Sequence, residues 1–244
     1  MTTGIIVALP EELSTLTAKK IPIGECGYIS ENILVAHSGT ASDNASKATQ
    51  MLIDKGCCKI ISWGCAAALD SKLNSGDLCL PRILFSETQT QYPINVQWHE
   101  FASALLNPCS TIHSEPVIES SHIVSASAEK KDLFQSSNAV ALDMESAAIA
   151  HLTHNTGTPL LVIRVIADTA DMDLPEAISH SLSDQGEINL KQLLINIAQK
   201  PGQIPGLIKL GMNFYSARRT LKVIAGKLND ITQFTAHQKT QIIS

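Results

Sequence analysis

Apolar runs and helix-forming stretches take turns along this chain. "GIIVAL" (4–9) and "ILVAH" (33–37) read as buried strands, and an alanine-rich stretch from Ala41 to about Lys55, opened by Ser and Asp residues, reads as a helix. "KIISW" (59–63), "GDLCLP" (76–81), "SHIVSAS" (121–127), "AVALDM" (139–144) and "LLVIRVIAD" (160–168) predict further core strands, with helices over 128–137 and 146–155. Such apolar strands need cover on both faces. Separated by helices, they imply an α/β fold of three αβα layers around a central mixed β-sheet. The 244 residues, 44% of them hydrophobic, suffice for one large core. The prolines and glycines of "QKPGQIPG" (199–206) break the pattern, dividing a domain over 1–200 from a helical extension over 201–244.

Charge and cysteine usage remove several function classes. A net charge of −5 gives no general attraction for nucleic acid. No basic, apolar and small-residue leader opens the chain and no apolar run reaches membrane-spanning length, so a cytoplasmic location is expected. Cys26, Cys57, Cys58, Cys65, Cys79 and Cys109 form no paired CxxC pattern and mostly lie in apolar runs, so neither a disulfide nor a metal site is expected. His37, His122 and His151 fall within apolar patterns and read as core or edge residues rather than catalysts.

Function is sought where apolar runs end in charge. The first ends at Pro10, Glu11 and Glu12. "ALDMESAAIA" (141–150) sets Asp143, Met144 and Glu145 between an apolar run and a helix. The run over 160–168 closes on Asp168, with Arg164 four residues earlier and Asp171 three later. In an open α/β sheet, side chains at the carboxyl ends of strands line the ligand crevice, so these acids can converge there. Taken singly, each can also be an acid that favours the positive end of the next helix.

"GIIVALPEEL", "SWGCAAALDSKLNSGDLCLP", "ALDMESAAIAHL" and "IRVIADTAD" together resemble the nucleoside phosphorylase and nucleosidase superfamily, particularly the branch containing methylthioadenosine/S-adenosylhomocysteine nucleosidases. The tail, "GQIPGLIKLGMNFYSARRTLKVI", resembles the hopanoid-associated phosphorylases. The resemblance implies a nucleoside phosphorylase-like domain and cleavage of the N-glycosidic bond of an adenine nucleoside, with adenosylhopane the favoured substrate. A soluble methylthioadenosine or S-adenosylhomocysteine nucleosidase is the alternative. A nucleotide-binding or membrane-associated module without turnover is a third reading.

The roles it implies suit the chemistry. Cleavage leaves electron density on the base and positive charge on the ribose. Asp168 would protonate adenine N7, Glu145 would hold the ribose hydroxyls beside the developing cation, and Met144 would pack against the sugar. Asp168 must then hold a proton near neutral pH, so Arg164 should point away from it. Glu12 would position the attacking water. Gly64, Cys65, Ser127 and Ala167 would frame the substrate, and the loop at Gly39 and Thr40 would offer backbone N–H groups to phosphate or water. No cofactor is implied beyond inorganic phosphate or water as co-substrate. The sequence departs from the related nucleosidases at Pro10, where they carry Glu, at Ala167, where they carry Ser, and in "GCAAAL", which replaces a glycine-rich loop. Arg82 reads as a surface residue.

In the tail, Lys209, Arg218, Arg219, Lys222 and Lys227 occur without an acid between 203 and 227, and Leu207, Leu210, Phe214, Ala217, Leu221, Ile224 and Leu228 form one apolar helical stripe. Such a helix packs on its own domain or a second subunit, or lies at an anionic membrane surface. Peripheral membrane contact through 203–228 and homo-oligomerisation are the partner expectations.

Overall fold

A computed structural model describes residues 1–175 and 200–235. Its longest strand, β4 (Cys57–Ala68), runs parallel to β11 (Leu160–Asp168) along one edge. Its other edge first meets β1 (Thr2–Val7), parallel as far as Ser62, and then β10 (Ala141–Asp143), antiparallel at Ala67 and Ala68. Between Ser62 and Ala67 that edge carries no strand partner among the described residues. The sheet thus changes partners at the carboxyl end of β1, where α/β sheets open their ligand crevices.

Beyond β1 lie β3 (Ile33–His37), parallel, and β2 (Glu25–Ser30), antiparallel; beyond β10 lie β9 (Val117–Glu119), β6 (Ile83–Phe85) and β7 (Gln91–Pro93). The strands β5 (Leu78–Cys79) and β8 (Ile112–His113) continue from β11. The helices are α1 (Pro10–Leu16), α2 (Ser42–Asp54), α3 (Val96–Leu106), α4 (Ser127–Ser137), α5 (Ser146–Thr156), α6 (Ile204–Ala225) and α7 (Leu228–Ile231).

Neighbouring residues on each central strand enter opposite cores, as the two-residue pleat requires. Ile5, Ile61 and Ile163 pack with Trp98 of α3 and with Ala217 and Leu221 of α6. Ile6, Ile60 and Val162 pack with Leu52 of α2 and Ile149 of α5. This is the three-layer arrangement with a mixed sheet that the alternating pattern implies. The apolar stripe of α6 turns inward: Ala217, Leu221 and Ile224 are fully buried, and Leu207, Leu210 and Phe214 half-buried. The boundary expected at residue 200 abuts residues 176–199, which lie outside the described residues.

One expected strand is absent. "SHIVSAS" forms no strand; the strand, β9, ends just before it at Glu119, and α4 begins at Ser127. The Ser120 hydroxyl donates to the His122 carbonyl (2.8 Å) and accepts from the His122 N–H (3.3 Å). This local side-chain turn competes with the sheet ladder and ends it. By contrast, β4 outruns "KIISW" through "GCAAA", because β11 supplies a partner as far as Ala67.

Candidate active site

Glu12 is the third residue of α1, which starts with Pro10 at the position where a missing N–H costs nothing. Its carboxylate reaches back to the helix start: Oε2 accepts from the N–H groups of Ala8 (3.1 Å) and Leu9 (3.0 Å). That is the glutamate half of a capping box. Oε1 accepts from the Cys65 N–H (2.8 Å), on the edge of β4 that lacks a strand partner. The same side chain thus serves the helix start and reaches the open edge of β4.

A comparable division holds around "DMES". Asp143 Oδ1 accepts from the N–H groups of Glu145 (3.2 Å) and Ser146 (3.0 Å), so Asp143 does the capping of α5. Its Oδ2 takes the Arg164 Nε (2.6 Å) and the Ser146 hydroxyl. Glu145 is left to face the crevice, accepting from the Ala41 N–H (3.2 Å) on the loop that follows Gly39 and Thr40. Ala41 (φ 84°) and Gly39 (φ 73°) both hold left-handed backbone there. In Ala41 that conformation is strained, and it aims the N–H at Glu145.

Arg164 is nearly saturated. Besides Asp143 it donates to Ser62 Oγ (2.7 Å), Ser146 Oγ (2.9 Å) and the Ile163 carbonyl (3.2 Å). It is 3% exposed and Asp143 5%. Truncating one partner of a buried ion pair strands the other, so Arg164→Met should cost about 3–5 kcal/mol of stability, read by chemical denaturation.

Glu12, Glu145 and Arg164 line a cavity of about 10 Å³ together with Ser38, Ser62, Gly64 and Cys65. That volume holds roughly one water. Burial raises the Glu12 carboxyl, against Arg164 and its three backbone donors. Burial and then the Asp143 carboxylate push Glu145 up to about 8, with Arg164 opposing. The Cys65 thiol is held well above its usual range by burial and by Glu12, and stays neutral.

Gly64 is required by this geometry. A Cβ there would stand 2.5 Å from Glu12 Oε1 and 2.8 Å from its carboxyl carbon. Gly64→Ala must push aside a carboxylate fixed by three N–H bonds, and a misplacement of about 1 Å costs on the order of 10²-fold in turnover. Steady-state kinetics beside a thermal melt should show that loss in a folded protein.

Asp168 closes β11 just past a bulge: Ile166 pairs with Ala66 but Asp168 with Ala67. Bulges re-aim side chains. Here Asp168 turns to Lys130 of α4 (Nζ to Oδ2, 2.6 Å); Arg164 goes to Asp143, as expected, but the Lys130 ammonium takes up the place beside Asp168 that Arg164 leaves. Burial raises the Asp168 carboxyl, and Lys130 opposes. Oδ1 is buried without a hydrogen-bond partner. Asp168 lies beside Ala67, two residues along β4 from the Cys65 N–H that binds Glu12. With a rise of about 3.3 Å per residue and a strand spacing of about 4.8 Å, the two backbone anchors stand roughly 8 Å apart. Both acids thus serve one end of the sheet.

The other candidates fall around this centre. Met144 is half-buried and its carbonyl accepts from Ser42 Oγ (3.4 Å). Ala167 packs in the apolar cluster with Val165 and Ala217. The Ser127 N–H, at the head of α4, is taken by Asp173 Oδ1 (2.6 Å). Arg82 is exposed. His37 is buried with Nδ1 against the Ile21 carbonyl (2.8 Å), whereas His122 is exposed and pairs with Glu129 (2.9 Å). Sequence reasoning missed Lys130 and the hydroxyls of Ser38 and Ser62. Lysines are rarely buried, and nothing in "SAEKK" distinguishes Lys130 from Lys131.

Two buried acids, Glu12 and Glu145, thus meet at a sheet switch point, with a third, Asp168, on a neighbouring strand. Comparison with known proteins gives the family. Residues 2–199 match the phosphorylase superfamily model, and the chain belongs to that superfamily. 5'-Methylthioadenosine/S-adenosylhomocysteine nucleosidases of Staphylococcus aureus strains MRSA252 and NCTC 8325 are 27% identical over 202 residues, covering 69% of this chain and 86% of theirs. The 5'-methylthioadenosine/S-adenosylhomocysteine nucleosidase of Helicobacter pylori has the same fold (TM-score 0.69, 19% identity, 95% of this chain and 97% of that one). So does the futalosine hydrolase of the same organism (TM-score 0.68, 19% identity, 95% and 97%).

Proposed function

We propose that this chain hydrolyses the N-glycosidic bond of an adenine nucleoside. The observation that carries the reading is the pair of buried carboxylates, Glu12 and Glu145, on one water-sized cavity whose arginine already spends its donors on Asp143, Ser62 and Ser146. A phosphate dianion there would face two acidic side chains and few free donors. A water would find acceptors for both of its protons. The cavity is the size of the nucleophile rather than the substrate, and the nucleoside would extend from it toward Asp168. In the proposed reaction Glu12 orients the water and accepts its proton, Glu145 holds the ribose hydroxyls next to the forming cation, and Asp168 gives a proton to N7 as the base departs. No cofactor takes part.

For the substrate we propose adenosylhopane, on the likeness of the tail to hopanoid-associated phosphorylases. Support comes from the outer face of α6, where Ile204, Ile208, Met212 and Tyr215 stand exposed near Lys209 and Arg219. An apolar ridge with basic neighbours suits an anionic lipid surface, where a triterpenoid nucleoside would be met. Among the described residues no helix is long and apolar enough to cross a membrane, so the proposed contact is peripheral, from the cytoplasmic side. We also propose a homo-oligomer. The second substrate reading, a soluble methylthioadenosine or S-adenosylhomocysteine nucleosidase, is favoured by what the staphylococcal relatives are named for.

The test is to incubate purified protein with adenosylhopane in anionic vesicles and, separately, with methylthioadenosine, each with and without phosphate. Adenine and the sugar product are then identified. Release of adenine with a free sugar, independent of phosphate, is expected. A sugar 1-phosphate, or no adenine from either nucleoside, contradicts the proposal.

A further inference from the structure

The ammonium of Lys130 is fully buried and uses all three of its N–H donors: Asp168 Oδ2 at 2.6 Å, the Thr169 carbonyl at 3.0 Å and the Met172 carbonyl at 2.8 Å. It therefore ties α4 to both the end of β11 and the turn that follows. The same turn returns to α4 through Asp173, which accepts from the Ser127 N–H. Burying an ammonium is costly unless it is paired and fully hydrogen-bonded, and a methionine would fill similar space without that cost. The single polar atom of this cluster left unpartnered is Asp168 Oδ1.

We infer that Lys130 is the positioning residue of the general acid: by holding Asp168 Oδ2 it makes Oδ1 the oxygen that carries the proton and delivers it to the purine. This rests on the reading that Asp168 protonates the departing base. A neutral carboxyl has one O–H, and an oxygen already receiving an ammonium N–H is the wrong place for it, so the proton sits on Oδ1. In the reaction the Oδ1 proton passes to N7, the electron pair of the glycosidic bond passes to the base, and Asp168 is left as a carboxylate. That carboxylate already accepts an ammonium hydrogen bond at Oδ2, which strengthens as its negative charge develops. Lys130 thus favours the ionised product of the transfer, while burial raises the carboxyl against it. Among the described residues the other charged groups facing Asp168 are Asp171 and Asp173 on the turn after β11, and both oppose Lys130.

The experiment compares kcat and KM across pH for wild type, Lys130→Met, Lys130→Arg, Asp168→Asn and the double variant Lys130→Met/Asp168→Asn. Losing the ammonium removes what holds the Asp168 pKa down, so the carboxyl gives up its proton only at higher pH. The alkaline limb of kcat/KM should therefore move up by about one to three pH units in Lys130→Met and stay in place in Lys130→Arg. In Lys130→Met kcat should fall by roughly 10–10²-fold with KM little changed, and in the Asp168→Asn background the same change should add almost nothing. An unmoved limb, or an equal loss in both backgrounds, makes Lys130 a packing residue and overturns the inference. If Lys130→Met alone does not fold, recovery of the fold in the double variant supports the pairing and failure of both refutes it. Full turnover by Asp168→Asn would instead sink the general-acid reading itself.

Discussion

Replacing Asp168 by Asn is expected to lower turnover of an adenine nucleoside by ~10²–10⁴-fold, with KM within a few-fold of wild type. An amide has nearly the shape of the carboxyl and can still hydrogen-bond the base, so binding in the ground state survives. What it lacks is a proton that can leave. The loss should thus appear in kcat and kcat/KM together, the signature of an interaction made only as the bond breaks. It should also shrink for a nucleoside whose base is a better leaving group, because such a base needs less help from an acid. An equal loss on both substrates would point to disturbed structure around Lys130. The fold should persist, because the amide oxygen can still accept the Lys130 hydrogen bond now made to Oδ2.

Glu12→Gln should lower turnover by a similar ~10²–10⁴-fold, and unlike Asp168→Asn it should also destabilise the protein. Three backbone N–H groups converge on the Glu12 carboxylate, two on Oε2 and one on Oε1. A glutamine must turn its NH₂ toward either Ala8 and Leu9 or Cys65, so a donor meets a donor in either orientation. Leaving buried donors unsatisfied costs about 1–3 kcal/mol, visible as a lower melting temperature. The kinetic loss has a separate origin, since an amide cannot take a proton from water. Glu12→Asp keeps the charge but retracts it by one methylene, and is expected to recover part of the stability and little of the activity. The pair of variants therefore separates anchoring from catalysis.

The fold and the site differ in how far they could be read from the chain, for a physical reason. Continuous apolar runs reveal themselves, and "ILVAH" and "LLVIRVIAD" became β3 and β11 with the bounds expected of them. Short strands such as β6 and β9 were not legible, because three residues carry no periodicity. Glu145 and Asp168 were legible as acids at strand ends. The division of labour between Asp143 and Glu145 was not, since it depends on where Arg164 points. The bulge at Ile166–Asp168, which alternation along the strand does not encode, in turn re-aims Asp168. Lys130 was hidden for a similar reason. Its lysine neighbour in "SAEKK" is identical in kind, and only the packing of α4 against the turn after β11 sets one apart from the other. The helical stripe of the tail was evident, while its direction, inward onto the sheet at Ala217 and Leu221, required the third dimension.

The most direct measurement is a crystal structure of the Asp168→Asn variant holding an uncleaved adenine nucleoside. The base N7 should lie within about 3 Å of the side chain at position 168, with the ribose hydroxyls on Glu145 and a water between Glu12 and the anomeric carbon. A nucleoside bound elsewhere, or one whose base and sugar fail to reach these acids together, would contradict the account.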